Sequence, residues 1–149
     1  MSLKATIDTD IKNAMLAREK EKLEALRAIK SMILLAETDK ANTNGVTAEV
    51  ESKLLMKAAK QRKESAEIFQ KEGRTDLAQK ELFQFDVIST YLPKQLSEDE
   101  IKAELTKIIE QVGAKGPQDM GKVMGTATKA LAGKADGKLI SELVKKMLA

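Results

Sequence analysis

The residues best placed to do chemistry lie in Gly113–Gly125, with the sequence GAKGPQDMGKVMG. Gly116 to Lys122 has the spacing G-x-x-x-x-G-K, which is seven of the eight positions of a phosphate-binding P-loop. In that loop, backbone N–H groups and a lysine hold nucleotide phosphates, and a final Ser or Thr binds Mg²⁺. Here Val123 occupies the final position and Pro117 removes a backbone donor. The preceding segment also has helical rather than strand periodicity, so the motif does not predict nucleotide hydrolysis.

The composition leaves few other routes to catalysis. The 149-residue chain contains no Cys and no His, which excludes thiol nucleophiles, imidazole acid–base catalysis and typical zinc sites. Aromatic residues make up 3% of the chain and Trp is absent, which argues against the base-stacking surfaces of single-strand binders. We therefore predict no catalytic residues, no cofactor and no metal site.

The stretch from Pro117 onward is predicted to form a short helix with two unlike faces. Proline suits the first turn of a helix, because its missing N–H would be unpaired there anyway. At about 100° per residue, the inward residues are Met120, Met124, Ala127 and Leu131, with Val123 at the edge of this stripe. The opposite face holds Gln118, Lys122, Gly125 and Lys129.

The outward face of this helix combines lysine with glycine, and two interpretations follow. A glycine within a helix costs about 1 kcal/mol relative to alanine, so a helix selected only for stability would carry other residues there. One interpretation is a surface that the backbone or phosphate of a partner approaches closely. The other is a solvated face on a helix that packs tightly at Gly121.

The distribution of charge fits either an anionic partner or neutralisation between helices of the chain itself. The whole chain has a net charge of +3, which is mild. Ser97–Val112 holds five acidic residues and two lysines, a net charge of −3, whereas Gly113–Ala149 holds seven lysines and three acidic residues, a net charge of +4. This separation fits an anionic partner for the basic part. It also fits neighbouring helices that neutralise each other.

The elements that position these residues are predicted to be helices throughout. The chain is rich in Ala, Leu, Lys and Glu and has only two prolines, a composition typical of all-α proteins. Apolar residues at helical spacing predict about four helices before Pro93, with a tight turn near Arg18–Glu21 and a loop at Asp39–Gly45. The predicted N-caps are Thr47 for the third helix, Thr75 or Asp76 for the fourth and Asp136 for the last.

A domain boundary is predicted just after Pro93. The proline ends the fourth helix, and Ser97 to Glu100 has the sequence of a capping box that begins a new one. We therefore expect an N-terminal helical domain at residues 1–94 and a three-helix tail domain at residues 95–149.

The N-terminal sequence predicts neither secretion nor membrane insertion. MSLKATIDTDIK lacks the apolar core of a signal peptide, and no run of apolar residues reaches membrane-spanning length. The expectation at this point is a cytoplasmic protein that does not bind membranes.

Four blocks of sequence, in this order and spacing, resemble the YqeY family over nearly the whole chain: KQRKESAEIFQKEGRTDLAQKE, YLPKQLSEDEI, DMGKVMG and ADGKLISELVKKML. YqeY proteins are similar in their C-terminal half to the tail of GatB, a subunit of the glutamine-dependent amidotransferase acting on misacylated tRNA. The matching positions are Asp119, Met120, Gly121, Lys122, Val123 and Met124, then Ala135, Asp136, Gly137, Lys138 and Leu139.

This resemblance implies a helical N-terminal domain joined to a small three-helix tail, and a family-level label of carbon–nitrogen ligase activity with glutamine as amido donor. In the amidotransferase, the tail contacts the outer corner of tRNA while chemistry happens in other domains and subunits. The present chain lacks the catalytic cradle domain and the serine–lysine machinery of the amidase subunit.

The resulting hypothesis is a non-catalytic accessory protein that binds tRNA or other structured RNA. The predicted contact residues are Lys115, Lys122, Gly125, Lys129 and Lys138. The alternative is a protein–protein interaction module, in which the glycines at 121 and 125 admit a partner helix and the lysines only keep the surface soluble.

Overall fold

The computed structural model describes residues 2–42 and 44–149, and these form seven α-helices, two short 3₁₀ turns and no β-strand. The prediction of an all-α protein is therefore confirmed. The helices are α1 (Leu3–Leu16), α2 (Lys20–Thr38), α3 (Ala48–Lys71), α4 (Thr75–Ser89), α5 (Glu98–Val112), α6 (Met120–Ala130) and α7 (Gly137–Leu148). The 3₁₀ turns are Lys40–Asn42 and Pro117–Asp119.

Short polar side chains begin several of these helices. The hydroxyl of Thr47 accepts a hydrogen bond from the Val50 N–H at 3.3 Å. Ser97 and Glu100 form the predicted capping box, in which each side chain accepts from the other residue's backbone N–H. At the other end of α5, Gly113 has a φ of 69°, a left-handed conformation that ends the helix and favours glycine.

The predicted cap of the fourth helix is wrong by one or two residues. The N-cap is Arg74, which makes no side-chain capping bond, and Thr75 and Asp76 already lie in the first turn of α4. The turn from α3 is tight, because Gly73 adopts a φ of 75° and the Arg74 N–H donates to the Phe69 carbonyl at 2.8 Å. This turn places Arg74, rather than the polar residues after it, at the helix entrance.

The first two helices form an antiparallel pair. The turn lies at residues 17–19, where Arg18 takes a left-handed φ of 59°. Side chains on the two helices are joined by salt bridges from Lys4 to Glu37 at 3.1 Å and from Lys30 to Asp8 at 2.6 Å. The predicted loop Asp39–Gly45 contains a 3₁₀ turn and one residue, Thr43, that lies outside the described residues.

The chain divides into two compact units, Met1–Leu92 and Pro93–Ala149. The core of the first unit lies among α1, α2, α3 and α4, and its largest fully buried side chains are Ile7, Leu26, Ile29 and Ile33. Phe85, Tyr91 and Leu92 pack against this core, whereas Phe83 remains 37% exposed.

The second unit has its own core between α5, α6 and α7. Its largest fully buried side chains are Ile101, Leu105, Val123, Ile140 and Val144. The segment before α5 belongs to this unit, since the Leu96 N–H donates to the Lys134 carbonyl at 2.9 Å and the Gln95 side chain donates to the Gly133 carbonyl at 2.7 Å. The prediction that residues 1–94 and 95–149 are separate domains stays a prediction, and proteolysis can test it.

Candidate functional site

Helix α6 carries most of the residues that the sequence singled out, and its buried side differs in detail from the prediction. Val123 and Ala127 are completely buried, whereas Met120 and Met124 are only partly buried. Val123 therefore lies at the centre of the packed face and not at its edge. The difference arises from tertiary packing. Because α6 packs against both α5 and α7, the direction of that packing decides which apolar residue is central.

The outward side of α6 includes the exposed residues Gly121, Lys122, Gly125 and Lys129, which we call the glycine–lysine face. Gln118, also predicted on this face, is exposed but lies in the 3₁₀ turn before the helix. The structure thus places Lys122, Lys129 and Gly125 on one side of α6.

The two glycines of this face have no structural role that the fold can explain. A methyl group added at Gly121 or Gly125 would meet no atom within 4 Å. Neither residue has the positive φ that favours glycine. The interpretation of tight packing at Gly121 is therefore wrong. Gly125, in the interior of α6, costs the helix about 1 kcal/mol relative to alanine, and no contact made by the described residues offsets that cost.

Lys115 and Lys138 lie at the two ends of this region, outside α6. Lys115 is exposed in the loop after α5, and its N–H donates to the Asp119 carboxylate at 2.9 Å. Lys138 is exposed in the first turn of α7, and its N–H donates to the Asp136 carboxylate at 3.3 Å. Asp119 and Asp136, two of the family-motif residues, thus shape the loops that present these lysines.

The positive charge of Gly113–Ala149 is not neutralised by salt bridges to the acidic helix α5. Carboxylates of α5 pair with lysines of the same helix, Glu98 with Lys102 and Glu104 with Lys107, both at 3.4 Å. Within the described part of the chain, no salt bridge involves any of the seven exposed lysines of Gly113–Ala149: Lys115, Lys122, Lys129, Lys134, Lys138, Lys145 and Lys146. The interpretation in which neighbouring helices neutralise each other through salt bridges is therefore wrong.

The P-loop spacing does not correspond to a phosphate-binding loop. The segment follows helix α5 instead of a strand, and Pro117–Asp119 forms a 3₁₀ turn that leads directly into α6. Among residues 2–42 and 44–149, no group of three or more carboxylate, His or Cys side chains could hold a metal ion. No helix in these ranges is long and apolar enough to cross a bilayer.

A groove in the first unit has no counterpart among the predictions made from the sequence. It has a volume of about 540 Å³, and its lining residues are Asp10, Lys22, Phe83, Asp86, Val87, Thr90 and Tyr91. These residues come from α1, α2, the C-terminal half of α4 and the two residues that follow α4. Asp10 and Asp86 are far apart in the sequence, so no local spacing could have brought them together.

Comparison with known proteins gives a match over almost the whole chain. Residues 4–148 match the family described as Yqey-like protein. Two similar proteins are both named Altered inheritance of mitochondria protein 41, mitochondrial. The protein of Clavispora lusitaniae is 34% identical over 116 residues, which are 76% of this chain and 66% of that protein. The protein of Pyrenophora tritici-repentis is 32% identical over 146 residues, which are 95% of this chain and 78% of that protein.

A shorter similarity links the chain to an amidotransferase. One of the subunits of the glutamyl-tRNA(Gln) amidotransferase of Thermococcus gammatolerans is 40% identical over 57 residues. These residues are 36% of this chain and 9% of that protein, so the similarity concerns a small part of the larger protein. It supports the relation to amidotransferase subunits that the sequence blocks indicated.

The expectation of a cytoplasmic protein is contradicted by these comparisons and is wrong, because both relatives that cover most of the chain are mitochondrial by name. The expectation rested on a missing apolar signal core. That absence argues against secretion but carries no information about import into an organelle, because mitochondrial transit peptides are amphipathic and rich in arginine.

Proposed function

Because the chain belongs to the YqeY family, we propose that Pro93–Ala149 is a module that binds structured RNA, such as tRNA, through the glycine–lysine face of α6. In this proposal the protein is an accessory factor that brings no catalytic residues of its own. The 57-residue similarity to a protein named as part of a glutamyl-tRNA(Gln) amidotransferase supports a tRNA ligand.

The observation that carries the proposal is the pair of exposed glycines beside unpaired lysines. Gly121 and Gly125 lie 40° apart around the helix at about 100° per residue, and no described side chain covers them. A surface without side chains lets a sugar–phosphate backbone approach the helix backbone closely. The loss of helix stability at these positions is then explained by a partner that lies outside the chain.

The neighbouring lysines supply the attraction for such a backbone. Lys122 and Lys129 are exposed and without a salt bridge in the described residues, so no internal bond has to break before they contact phosphate. In this proposal Lys115, in the loop before α6, and Lys138, in the first turn of α7, extend the basic surface. Lysine–phosphate contacts release counterions, which makes the affinity independent of base sequence and strongly dependent on salt.

The accessory role rests on what the sequence contains. Without Cys or His, the chain has no thiol or imidazole to act as nucleophile or base. The lysine of the P-loop-like segment, Lys122, is an exposed residue of α6, so we assign it to RNA contact instead of nucleotide binding. ATP hydrolysis by pure protein that Lys122→Ala abolishes would contradict this assignment.

The central experiment measures the binding of fluorescently labelled tRNA across a series of salt concentrations. For the double variant Lys122→Ala/Lys129→Ala, we expect weaker binding and a log–log salt slope that is smaller by about two, since each lost phosphate contact removes about one. The matched control is Lys57→Ala/Lys63→Ala, which removes the same charge from exposed positions of α3. The control should bind tRNA with nearly the wild-type slope.

A second pair of variants tests the glycines separately from charge. Gly125→Ala should stabilise α6, by up to about 1 kcal/mol, because its added methyl group meets open space within the chain. The same change should weaken tRNA binding, and Gly125→Glu should weaken it further by adding bulk and a like charge. Circular dichroism checks that each variant remains folded.

The alternative, a surface for a protein partner, makes the opposite prediction. It is favoured if wild-type protein does not bind tRNA at low salt, or if the double lysine variant keeps the wild-type slope. In that case Gly125→Glu should disrupt a protein complex while RNA plays no part.

A further inference from the structure

The groove of the first unit presents a binding surface that is chemically unlike the basic face of α6. Its walls come from Asp10 of α1, Lys22 of α2 and the C-terminal end of α4 with the residues that follow it. These residues belong to Met1–Leu92, whereas the proposed RNA contact belongs to Pro93–Ala149. A ligand in this groove is therefore an inference beyond the proposed RNA contact.

One wall of the groove is apolar and partly open to solvent. Phe83 is 37% exposed, although its neighbour in α4, Phe85, packs against the core. Val87 is buried beside it. Burial of apolar surface stabilises a fold by about 25 cal/mol for each Å². Because part of its ring stays in water, Phe83 contributes less to the free energy of folding than a fully buried phenylalanine would.

Tyr91 fixes one side of the groove. Its hydroxyl donates a hydrogen bond to the carboxylate of Asp10, which joins the end of α4 to α1. The tyrosine ring packs against the core of the first unit. This side of the groove is therefore held in place before any ligand arrives.

The charge of the groove is negative in a chain that is positive overall. Asp86 is exposed, and its carboxylate makes no hydrogen bond or salt bridge with any described residue. The groove's own lysine, Lys22, has its ammonium group 3.8 Å from the carboxylate of Glu19, which is not a lining residue. Two aspartates thus line the groove, and its single lysine has a different carboxylate as its partner.

From this combination we propose that the groove binds an arginine side chain of a partner protein. A guanidinium group stacks on an aromatic face such as that of Phe83 and donates paired hydrogen bonds to a carboxylate such as that of Asp86. Its aliphatic stem suits the apolar wall at Val87. Arginine fits better than lysine because its planar group is less strongly hydrated and stacks on aromatic rings.

The test is an NMR titration of the full-length, ¹⁵N-labelled chain with the peptide acetyl-Leu-Ala-Arg-Ala-Leu-amide. The matched probe replaces arginine with citrulline, which has nearly the same shape but no charge. We expect the arginine peptide to shift amide signals of the groove residues and the citrulline peptide to shift them much less. The method detects millimolar binding, so a silent titration with the arginine peptide overturns the proposal.

Variants then separate the groove from general attraction to acidic residues. Asp86→Asn and Phe83→Ala should each lower the affinity for the arginine peptide at least about threefold. This loss is within the range of free energies for contacts of exposed charged groups. Glu67→Gln removes one exposed carboxylate from α3 and should leave the affinity unchanged. Equal losses in Asp86→Asn and Glu67→Gln, or shifts spread over all acidic surfaces, would refute a specific site.

The outcome is independent of the RNA measurement. Asp86→Asn should bind tRNA as the wild type does, and Lys122→Ala/Lys129→Ala should bind the arginine peptide as the wild type does. A loss of both ligands in either variant would contradict two separate sites.

Discussion

At the scale of single residues, the informative positions are those whose side chains the fold does not explain. Gly121 and Gly125 lie in open space on α6, and Asp86 and Phe83 line a groove without being used by the core. Asp119 and Asp136, by contrast, accept hydrogen bonds from backbone N–H groups and so have a structural explanation. The sequence does not distinguish residues whose role the fold explains from residues whose role it does not explain. Only their surroundings in the structure do so.

Tyr91 gives a prediction about pH at this scale. Burial, together with the hydrogen bond to Asp10 and the charge of that carboxylate, raises the pKa of Tyr91 above its ordinary value of about 10. A group whose pKa is raised by folding stabilises the protein at pH values below its unfolded pKa, and that contribution is lost as pH rises through the folded pKa. We therefore expect Tyr91 to contribute fully at neutral pH and progressively less above about pH 10.

The measurement is direct because Tyr91 is the single tyrosine and the chain has no tryptophan. Its ionisation, followed by ultraviolet absorbance, should occur at higher pH in folded protein than in protein unfolded by urea. Tyr91→Phe should lower the free energy of unfolding at pH 7 by about 1 kcal/mol, the usual value of a hydrogen bond. Its stability should also fall less than that of the wild type above pH 10. Identical titrations in folded and unfolded protein would contradict the role assigned to the bond with Asp10.

At the scale of elements, helix ends were read from the sequence more reliably where a side chain makes the cap. The capping box at Ser97 and Glu100 begins α5 as predicted, and the left-handed Gly113 ends it. The start of α4 was misplaced because the tight turn at Gly73, a feature of the backbone, decides where that helix begins. The faces of α6 were predicted correctly for its lysines and incorrectly for Val123, since two packing partners set its orientation.

The capping box gives a prediction at this scale. Ser97→Ala removes the acceptor for the Glu100 N–H, which leaves a first-turn donor of α5 without its partner. We expect the second unit to lose about 1 kcal/mol of stability, the typical cost of removing such a cap. Hydrogen exchange of the buried amides of α5 should reveal the loss, because it reports on each unit separately.

A matched change shows whether that effect is specific to the cap. Thr106→Ala removes a hydroxyl from the exposed middle of the same helix. Exchange in α5 should then be as slow as in the wild type, or slower, because alanine has the higher helix propensity. Equal acceleration in both variants would argue against a special role for Ser97.

At the scale of the whole molecule, the two compact units meet in sequence between Leu92 and Pro93. Pro93 and Lys94 are exposed, whereas Gln95 and Leu96 are held by hydrogen bonds to Gly133 and Lys134. We therefore expect limiting trypsin to cut after Lys94 early, with Lys40 in the turn after α2 as the competing site. The fragments 1–94 and 95–149 should each keep a helical circular dichroism spectrum.

The variant Lys94→Gln tests the choice of site. It should remove the 94/95 cut and leave Lys40 as the first point of cleavage. First cuts within α3 or α5, or fragments that lose their helical signal, would show that the two units do not fold as separate domains.

The amino-acid sequence was sufficient to predict the fold class, most helix limits and the lysines of the glycine–lysine face. These features depend on local periodicity, capping side chains and proline or glycine stops, all of which act over a few residues. Family membership was also predicted from the sequence, because it depends on the order of whole blocks of residues. The match over residues 4–148 confirmed it.

Three other features depend on tertiary structure. A methyl group added at Gly121 would meet no described atom within 4 Å, the lysines of Gly113–Ala149 form no salt bridge with α5 in the described part of the chain, and Asp10, Asp86 and Tyr91 line one groove. Each depends on which surfaces of different helices face each other. That choice is made by the packing of two cores, one containing Ile7 and Leu26 and the other Val123 and Val144, to which residues far apart in the chain contribute jointly. The spacing of residues along the chain therefore does not predict which helix surfaces face each other.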